Sequence, residues 1–275
     1  MVDFCPVRSS NSQKGQVLLI VVLVMIVALT VGLSLISRSI TNLRTSTEEA
    51  ESQKALAAAE AGIEQALKKT DALPLTGSFE SGDVTIQYNT DIVRVEGTQF
   101  LVNGGNAVAE DDGADIWLSE YKDDDTIFNT PLGGTANITI FWGESSACSD
   151  AALEIVVLSG SKSSPALQRY TAEPCADPRR LANNFDSAGG GETVDEVIFQ
   201  HSKSISVTNG LIIRITPIYY DAKIGVVSTA SLPLQGKLIT STGESGKTQR
   251  RINVFQGYPK LPSELFPYAI FSPKD

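Results

Sequence analysis

Histidine and cysteine, which most often supply catalytic bases and metal ligands, are scarce in this chain of 275 residues. It contains one histidine, His201, and three cysteines, Cys5, Cys148 and Cys175. A histidine-centred catalytic triad or a His/Cys metal cluster needs several such groups close together. No carboxylate or cysteine lies near His201 in the sequence, which favours an ordinary surface or strand-edge residue. The composition therefore predicts a non-enzymatic protein with no cofactor and no metal site.

Two kinds of polar segment are similar to ligand-binding loops without matching them. Residues 242–248 (TGESGKT) look like part of a phosphate-binding loop, but that motif needs glycine where Ser241 stands and a helix after it. The following QRRINV instead predicts a strand, so the glycines predict a hairpin turn. Acidic runs at 110–115 and 123–125 lack the twelve-residue spacing of a calcium loop and predict solvated surface loops.

The charge balance excludes another class of partner. The 22 basic and 32 acidic residues leave a net charge of −10. Because an acidic surface repels phosphate, we expect no nucleic-acid partner. With 42% apolar residues, the chain is too apolar for a disordered protein and long enough to bury a sizeable core.

The first secondary-structure element that the sequence predicts is an apolar run at 17–36, VLLIVVLVMIVALTVGLSLI. This run contains no charged residue. As a helix it would extend about 30 Å, the thickness of a bilayer's hydrocarbon core. It is longer than the roughly 7–15-residue core of a cleaved signal peptide and lacks a small-residue cleavage site. The run therefore predicts a transmembrane helix. Its flanking basic residues are balanced, so the positive-inside rule leaves the orientation open.

A second helical pattern follows at about 46–69. Strong helix formers dominate it, and apolar residues recur at steps of three and four, which predicts one face packed on a domain. The residues of that face are Leu56, Ala59, Ile63, Ala66 and Leu67. A capping-box pattern at Thr45–Glu49 leaves two alternatives open, a helix that breaks and restarts or one that continues with a bend.

From about Thr76 the apolar period changes to two, which is typical of half-buried strands. The alternating runs are 84–88, 138–142, 153–157, 205–207, 211–215 and 237–240, and the turn-forming clusters between them are 103–105, 133–134, 189–191 and 209–210. We expect an α+β fold in which the second half of a long N-terminal helix packs on a mostly antiparallel, β-rich domain at 71–258. Trp117 and Trp142 are expected in its core. A tail at 259–275, rich in proline and aromatic residues, is expected to pack on this domain or on a neighbour.

Three features together resemble a known family. A short polar leader ends in Lys14-Gly15, an apolar stretch begins at Gln16-Val17, and Ala58-Ala59-Glu60-Ala61-Gly62 follows about 45 residues later. Over residues 8–70 the chain resembles type IV pilin-like proteins, specifically PilX-like minor pilins. The Ala-rich segment taken alone fits a solvent-exposed helix equally well.

The resemblance implies that a prepilin peptidase cuts after Gly15 and methylates the new N-terminus at Gln16. The chain would then consist of a leader at 1–15, which includes Cys5, and a helix at 16–70. Ile20 stands at the fifth mature position, where major pilins carry glutamate to pair with a neighbour's N-terminus. Because Ile20 cannot form that pair, the sequence favours a minor subunit over a major shaft subunit.

The resemblance also implies a function, a non-catalytic minor pilin or pseudopilin of a type IV pilus or related filament. Its partners would be other pilin subunits, the prepilin peptidase and membrane lipid. It would cross the cytoplasmic membrane once, with its domain outside, before reaching an extracellular filament. An oxidising exterior favours a Cys148–Cys175 disulfide over two unrelated buried thiols. The alternative function is a permanently anchored, single-span surface binding module of adhesin type.

Overall fold

The computed structural model describes residues 14–69, 74–81, 84–122, 126–145, 148–176, 178–262 and 266. Predictions for three segments lie outside the described residues. These are the leader up to residue 13, which includes Cys5, the acidic run at 123–125, and the tail at 263–265 and beyond Phe266.

One long helix, α1, runs without a break over Lys14–Leu67, which at 54 residues makes it about 80 Å long. The continuous alternative is therefore correct, and the helix ends two residues before the predicted end at 69. Within the capping-box segment, the hydroxyls of Thr45 and Thr47 donate to carbonyls four residues earlier, at 3.1 and 2.9 Å. These threonines bond along the helix rather than capping a new one, so the helix does not restart there.

The rest of the described chain is mostly antiparallel strand, which confirms the predicted α+β class. The strands are β1 (Leu75–Ser81), β2 (Val84–Leu101), β3 (Ala114–Trp117), β4 (Thr135–Trp142), β5 (Ala152–Ser161), β6 (Ser164–Ala172), β7 (Gly189–Gly190), β8 (Thr193–Val194), β9 (Val197–Ile198), β10 (His201–Thr208), β11 (Gly210–Ile218), β12 (Ile224–Ser245) and β13 (Thr248–Gly257). A 3₁₀ turn covers Val102–Gly105 and a short helix, α2, covers Arg179–Asn183. Each predicted alternating run lies inside one strand.

Two glycine-rich segments show how local geometry decides between turn and strand. Gly246, at a φ of +57°, lies in the hairpin turn between β12 and β13, so the predicted hairpin is correct and the phosphate-loop resemblance is incidental. The cluster at 189–191 is not simply a turn, because Gly189 and Gly190 form β7 and pair with β10. A Cβ at Gly191 would lie 1.9 Å from the carbonyl oxygen of Phe199, so the missing side chain permits this close approach.

Strand β12 divides the larger sheet into two parts. This sheet has the order β1-β2-β12-β4-β10-β7, and β13 also pairs with β12. Along one side of β12, β2 pairs over nearly the whole length, while on the other side β4 pairs with 224–228 and β13 with 236–245. The register shifts between Val227 and Gly236 mark the change. Helix α1 covers the β13 part, and a second sheet covers the β4 part.

The second sheet, β3-β11-β5-β6, forms a sandwich with the β4 part of the first. Trp142 is completely buried between the two sheets, and its indole N–H donates to the carbonyl of Ala151 at 2.8 Å. Trp117 is buried on the other face of the second sheet, against Tyr258 and Phe266. Both tryptophans are core anchors, as predicted. The described start of the C-terminal tail packs on its own domain.

Candidate functional site

The first half of α1 is an apolar surface that no described part of the chain covers. Every large apolar side chain from Val17 to Ile36 is between 48% and 70% exposed, Ile20 among them. Gly15 and Gln16 lie in the first turn of the helix, directly before this surface. By length and composition this helix could cross a membrane, which is consistent with a single-pass anchor. Inside the apolar run, the Thr30 hydroxyl donates to the Val27 carbonyl at 2.9 Å, so it needs no water.

The second half of α1 packs on the sheet through small residues. Ala55, Ala58, Ala59 and Ala66 are each 0% exposed, and Ile63 is buried beside them. The predicted packing face is wrong at two positions, because Leu56 and Leu67 do not pack on the sheet and are each 42% exposed. The solvent-exposed alternative for the Ala-rich segment is also wrong. In the Ala58-Ala59-Glu60-Ala61 segment, Glu60 is exposed and Ala61 half-buried, while both alanines before them face the sheet.

The backbones of α1 and β12 lie so close together that alanine, rather than leucine, occupies the packing face of the helix. A Cβ at Gly243 of β12 would lie 2.0 Å from the carbonyl oxygen of Ala55 and 2.5 Å from the backbone nitrogen of Ala59. A Cβ at Gly62 of the helix would lie 2.2 Å from the hydroxyl oxygen of Ser241. A leucine pointing at the sheet would hold the helix away from it. The leucines therefore lie at the margins of the contact.

Polar groups fix the helix at both ends of this contact. At one end the Arg250 guanidinium donates to the Ser52 hydroxyl at 2.8 Å. At the other the Lys237 ammonium donates to the carbonyl of Lys69 at 3.2 Å, where a cation suits the carbonyl end of the helix dipole. Thus the sheet holds α1 from about residue 51 to residue 69.

Between the apolar run and Ala55, the first buried residue of the sheet contact, lies a stretch of α1, residues 37–54, which we call the stalk. Its 18 residues extend about 27 Å. Residues 37–50 are all exposed, and contact with the sheet begins at Glu51 and Ser52. No described part of the chain therefore covers residues 37–50 of the helix that joins the domain to the apolar run.

At the opposite end of the domain, Cys148 and Cys175 form a disulfide, with their Cα atoms 4.4 Å apart, which confirms that prediction. Beside it, the completely buried carboxylate of Glu173 accepts hydrogen bonds from the Cys175 backbone N–H, from the Arg179 guanidinium and from the Asn183 amide. Arg179 also donates to the carbonyl of Asp150 at 2.9 Å. A covalent bond and a buried ion pair thus hold these loops together.

His201, predicted to be an ordinary surface or strand-edge residue, is the first residue of β10, but its side chain is mostly buried against a carboxylate that is distant in the sequence. Its Nε2 lies 3.0 Å from Oδ2 of Asp150, and the two side chains are only 12% and 9% exposed. Asp150 is 51 residues away in the sequence, and the fold brings it next to β10. The Ser145 hydroxyl donates to the carboxylate of Asp150 at 2.8 Å rather than to the imidazole. This is not the arrangement of a nucleophilic serine triad, in which the imidazole activates the hydroxyl.

Two clefts, of about 340 and 590 Å³, lie on either side of the segment that follows β13. The ion pair of Asp112 and Lys260 lies between them. Beneath it, Arg214 donates to both carboxylate oxygens of the buried Asp115, at 2.7 and 2.8 Å. Burial raises the pKa of Tyr258, which lines the smaller cleft. Within the described residues, no three His, Cys, Asp or Glu side chains are grouped to hold a metal ion.

No protein-family model, curated protein or solved structure matches this chain.

Proposed function

We propose that this protein is a non-catalytic, minor pilin-like subunit. In this proposal the first half of α1 holds it in the cytoplasmic membrane, and the same surface later packs with other pilin subunits in a type IV pilus or related filament. The observation that carries the proposal is the division of one helix into two halves. One half exposes every large apolar side chain, and the other lies backbone to backbone on a sheet.

The exposed half needs an apolar environment. A contiguous apolar surface this large is rare on soluble monomers and marks a membrane or protein contact. Lipid can cover it before assembly, and the helices of other subunits can cover it afterwards.

The continuity of α1 supports assembly over simple anchoring. An anchor needs only the roughly 20 residues that cross a bilayer. Here the same helix continues through the stalk to Leu67 without a kink-forming proline. The part that contacts the sheet is held by hydrogen bonds at Ser52 and at Lys69. Packing of the apolar half against a neighbour would therefore set the position of the whole domain. A flexible linker would not transmit that position.

The proposed processing step is tested by the mature N-terminus of the membrane-extracted protein. Mass spectrometry should find a methylated Gln16 as the first residue. Gly15→Leu should leave the leader attached, whereas Gly32→Ala, at a glycine with open space around it in the same helix, should not affect processing. An uncut Met1, or a first residue other than Gln16, would contradict the proposal.

The second candidate is a permanently anchored surface binding module. It is favoured by the match between the exposed run, about 30 Å long, and a single bilayer. This candidate predicts an intact leader, unchanged localisation of Gly15→Leu, and no co-purification with filaments.

A further inference from the structure

The stalk carries a shallow groove of about 330 Å³ that combines apolar and charged residues. Ile40, Leu43, Arg44, Thr47, Glu48 and Glu51 line it. Their spacing of three and four residues places them along one side of α1. The groove thus has two apolar side chains next to a cation, with two carboxylates further along the helix.

Two of the three charged side chains of this groove, Arg44 and Glu48, have no ion-pair partner among the described residues. Their order, with the basic residue four positions before the acidic one, is the less favourable one for a pair within a helix. Among the described residues, Glu51 accepts a single long hydrogen bond, 3.4 Å, from the Thr248 hydroxyl.

We infer that the stalk groove binds the stalk of a second copy of this chain, with Arg44 of one copy next to Glu48 and Glu51 of the other. The inference rests on the proposed function, because insertion in one membrane orients all copies in the same direction. Arg44 reaches Glu48 or Glu51 of a parallel neighbour when the two helices are offset by four to seven residues, about 6–10 Å. Without an offset, Arg44 faces Arg44 and the carboxylates face each other, which is repulsive.

Two observations favour a second copy over lipid as the occupant. The groove contains both signs of charge in an order that complements itself after a short shift. An anionic lipid headgroup would be attracted by Arg44 but repelled by the two carboxylates a turn or two away. Ile20 leaves the apolar run without a charge that could set the axial offset of neighbouring helices. The stalk, in which Arg38 is the first charge after the run and Arg44 the second, provides such charges.

Charge reversal in the full-length chain tests this inference, with co-isolation of two differently tagged copies from membranes as the readout. Arg44→Glu should lower co-isolation at least tenfold, and so should Glu48→Arg combined with Glu51→Arg. The triple variant that combines all three changes should restore co-isolation to within about twofold of the wild type. Glu49→Arg is the matched control, because five residues after Arg44 it lies on the opposite side of the helix.

A second measurement reads the offset directly. With Cys5→Ser in both copies, oxidation should crosslink Arg44→Cys of one copy to Glu48→Cys of the other more than to Arg44→Cys of the other. Equal yields, or a triple variant that stays as defective as Arg44→Glu, would overturn the inference. So would a Glu49→Arg variant that is equally defective. A wild type that is cut at Gln16 and associates as well as every variant would overturn this inference alone, whereas an uncut wild type that does not associate would overturn the proposed function with it.

Discussion

Replacing Gly243 with alanine should loosen α1 from the sheet without unfolding the sandwich. The added Cβ would lie 2.0 Å from the Ala55 carbonyl oxygen and 2.5 Å from the Ala59 nitrogen, closer than any Cβ approaches a backbone atom. Because both atoms belong to the helix backbone, a change of rotamer cannot relieve the contact. Overpacking of this kind costs up to about 3 kcal/mol, while the stiffer unfolded chain returns about 0.4–1 kcal/mol. The helix contact should therefore weaken by about 2 kcal/mol.

Hydrogen exchange of the detergent-solubilised full chain measures this effect where it occurs. About 2 kcal/mol corresponds to roughly 30-fold faster exchange of the amides between Ala55 and Ala66. Amides next to Trp142 in the sandwich should be unchanged, because α1 packs on the other part of the sheet. Gly190→Ala is the control, since its Cβ would meet no atom within 4 Å. Equal protection of α1 in both variants, or an equal loss of protection in the sandwich, would refute the backbone-contact explanation.

Three further predictions concern the domain. Replacing Cys148 and Cys175 with serine should lower the free energy of unfolding by about 3–4 kcal/mol, the loop-entropy value for their separation of 27 residues, and an unchanged urea midpoint would contradict this. Arg179→Ala should cost about 3 kcal/mol in the same assay, because the buried Glu173 carboxylate loses its charged partner, whereas Arg180→Ala should cost little. Burial raises the pKa of Tyr258, so its phenol ionises more easily in the unfolded chain than in the folded one. The free energy of unfolding should therefore fall as the pH rises above about 10. Tyr258→Phe should show less of this alkaline loss, and an identical pH profile of the urea midpoint would contradict the assignment.

The predictable part of this fold is the part encoded in neighbouring residues. The apolar run at 17–36 and the alternation at 138–142 each report a single element, and the structure contains both. Hydrophobicity also predicted that Leu56 would face the sheet. It failed there because the helix position is set by Gly243, almost 190 residues later, which admits only small side chains. The period of a helix identifies its faces, but the partner surface decides which face packs.

The polar pairs of the domain show the same limit. His201 meets Asp150 across 51 residues, and Arg214 meets Asp115 across 99. Neither pair has a local signal, because the partners lie on different strands or loops that the sheets bring together. The Cys148–Cys175 bridge could be predicted because the proposed leader would remove Cys5 and leave two cysteines, which an oxidising exterior favours as a pair.

The register of α1 on β12 explains where the covalent and ionic supports lie. Ala55 lies at Gly243 and Lys69 at Lys237, so β12 runs antiparallel to α1. From Lys237, opposite Arg94, to the start of β12 at Ile224, just past Leu101, the strand leads about 25 Å further from the apolar run. This distance adds to the roughly 47 Å of helix between Ile36 and Leu67. At that far end β4 stops, and the disulfide and the Glu173–Arg179 pair hold the loops there. Helix α1 ends well before this point and stabilises only the β13 part of the sheet. The disulfide and the ion pair stabilise the outermost loops, which the helix does not reach.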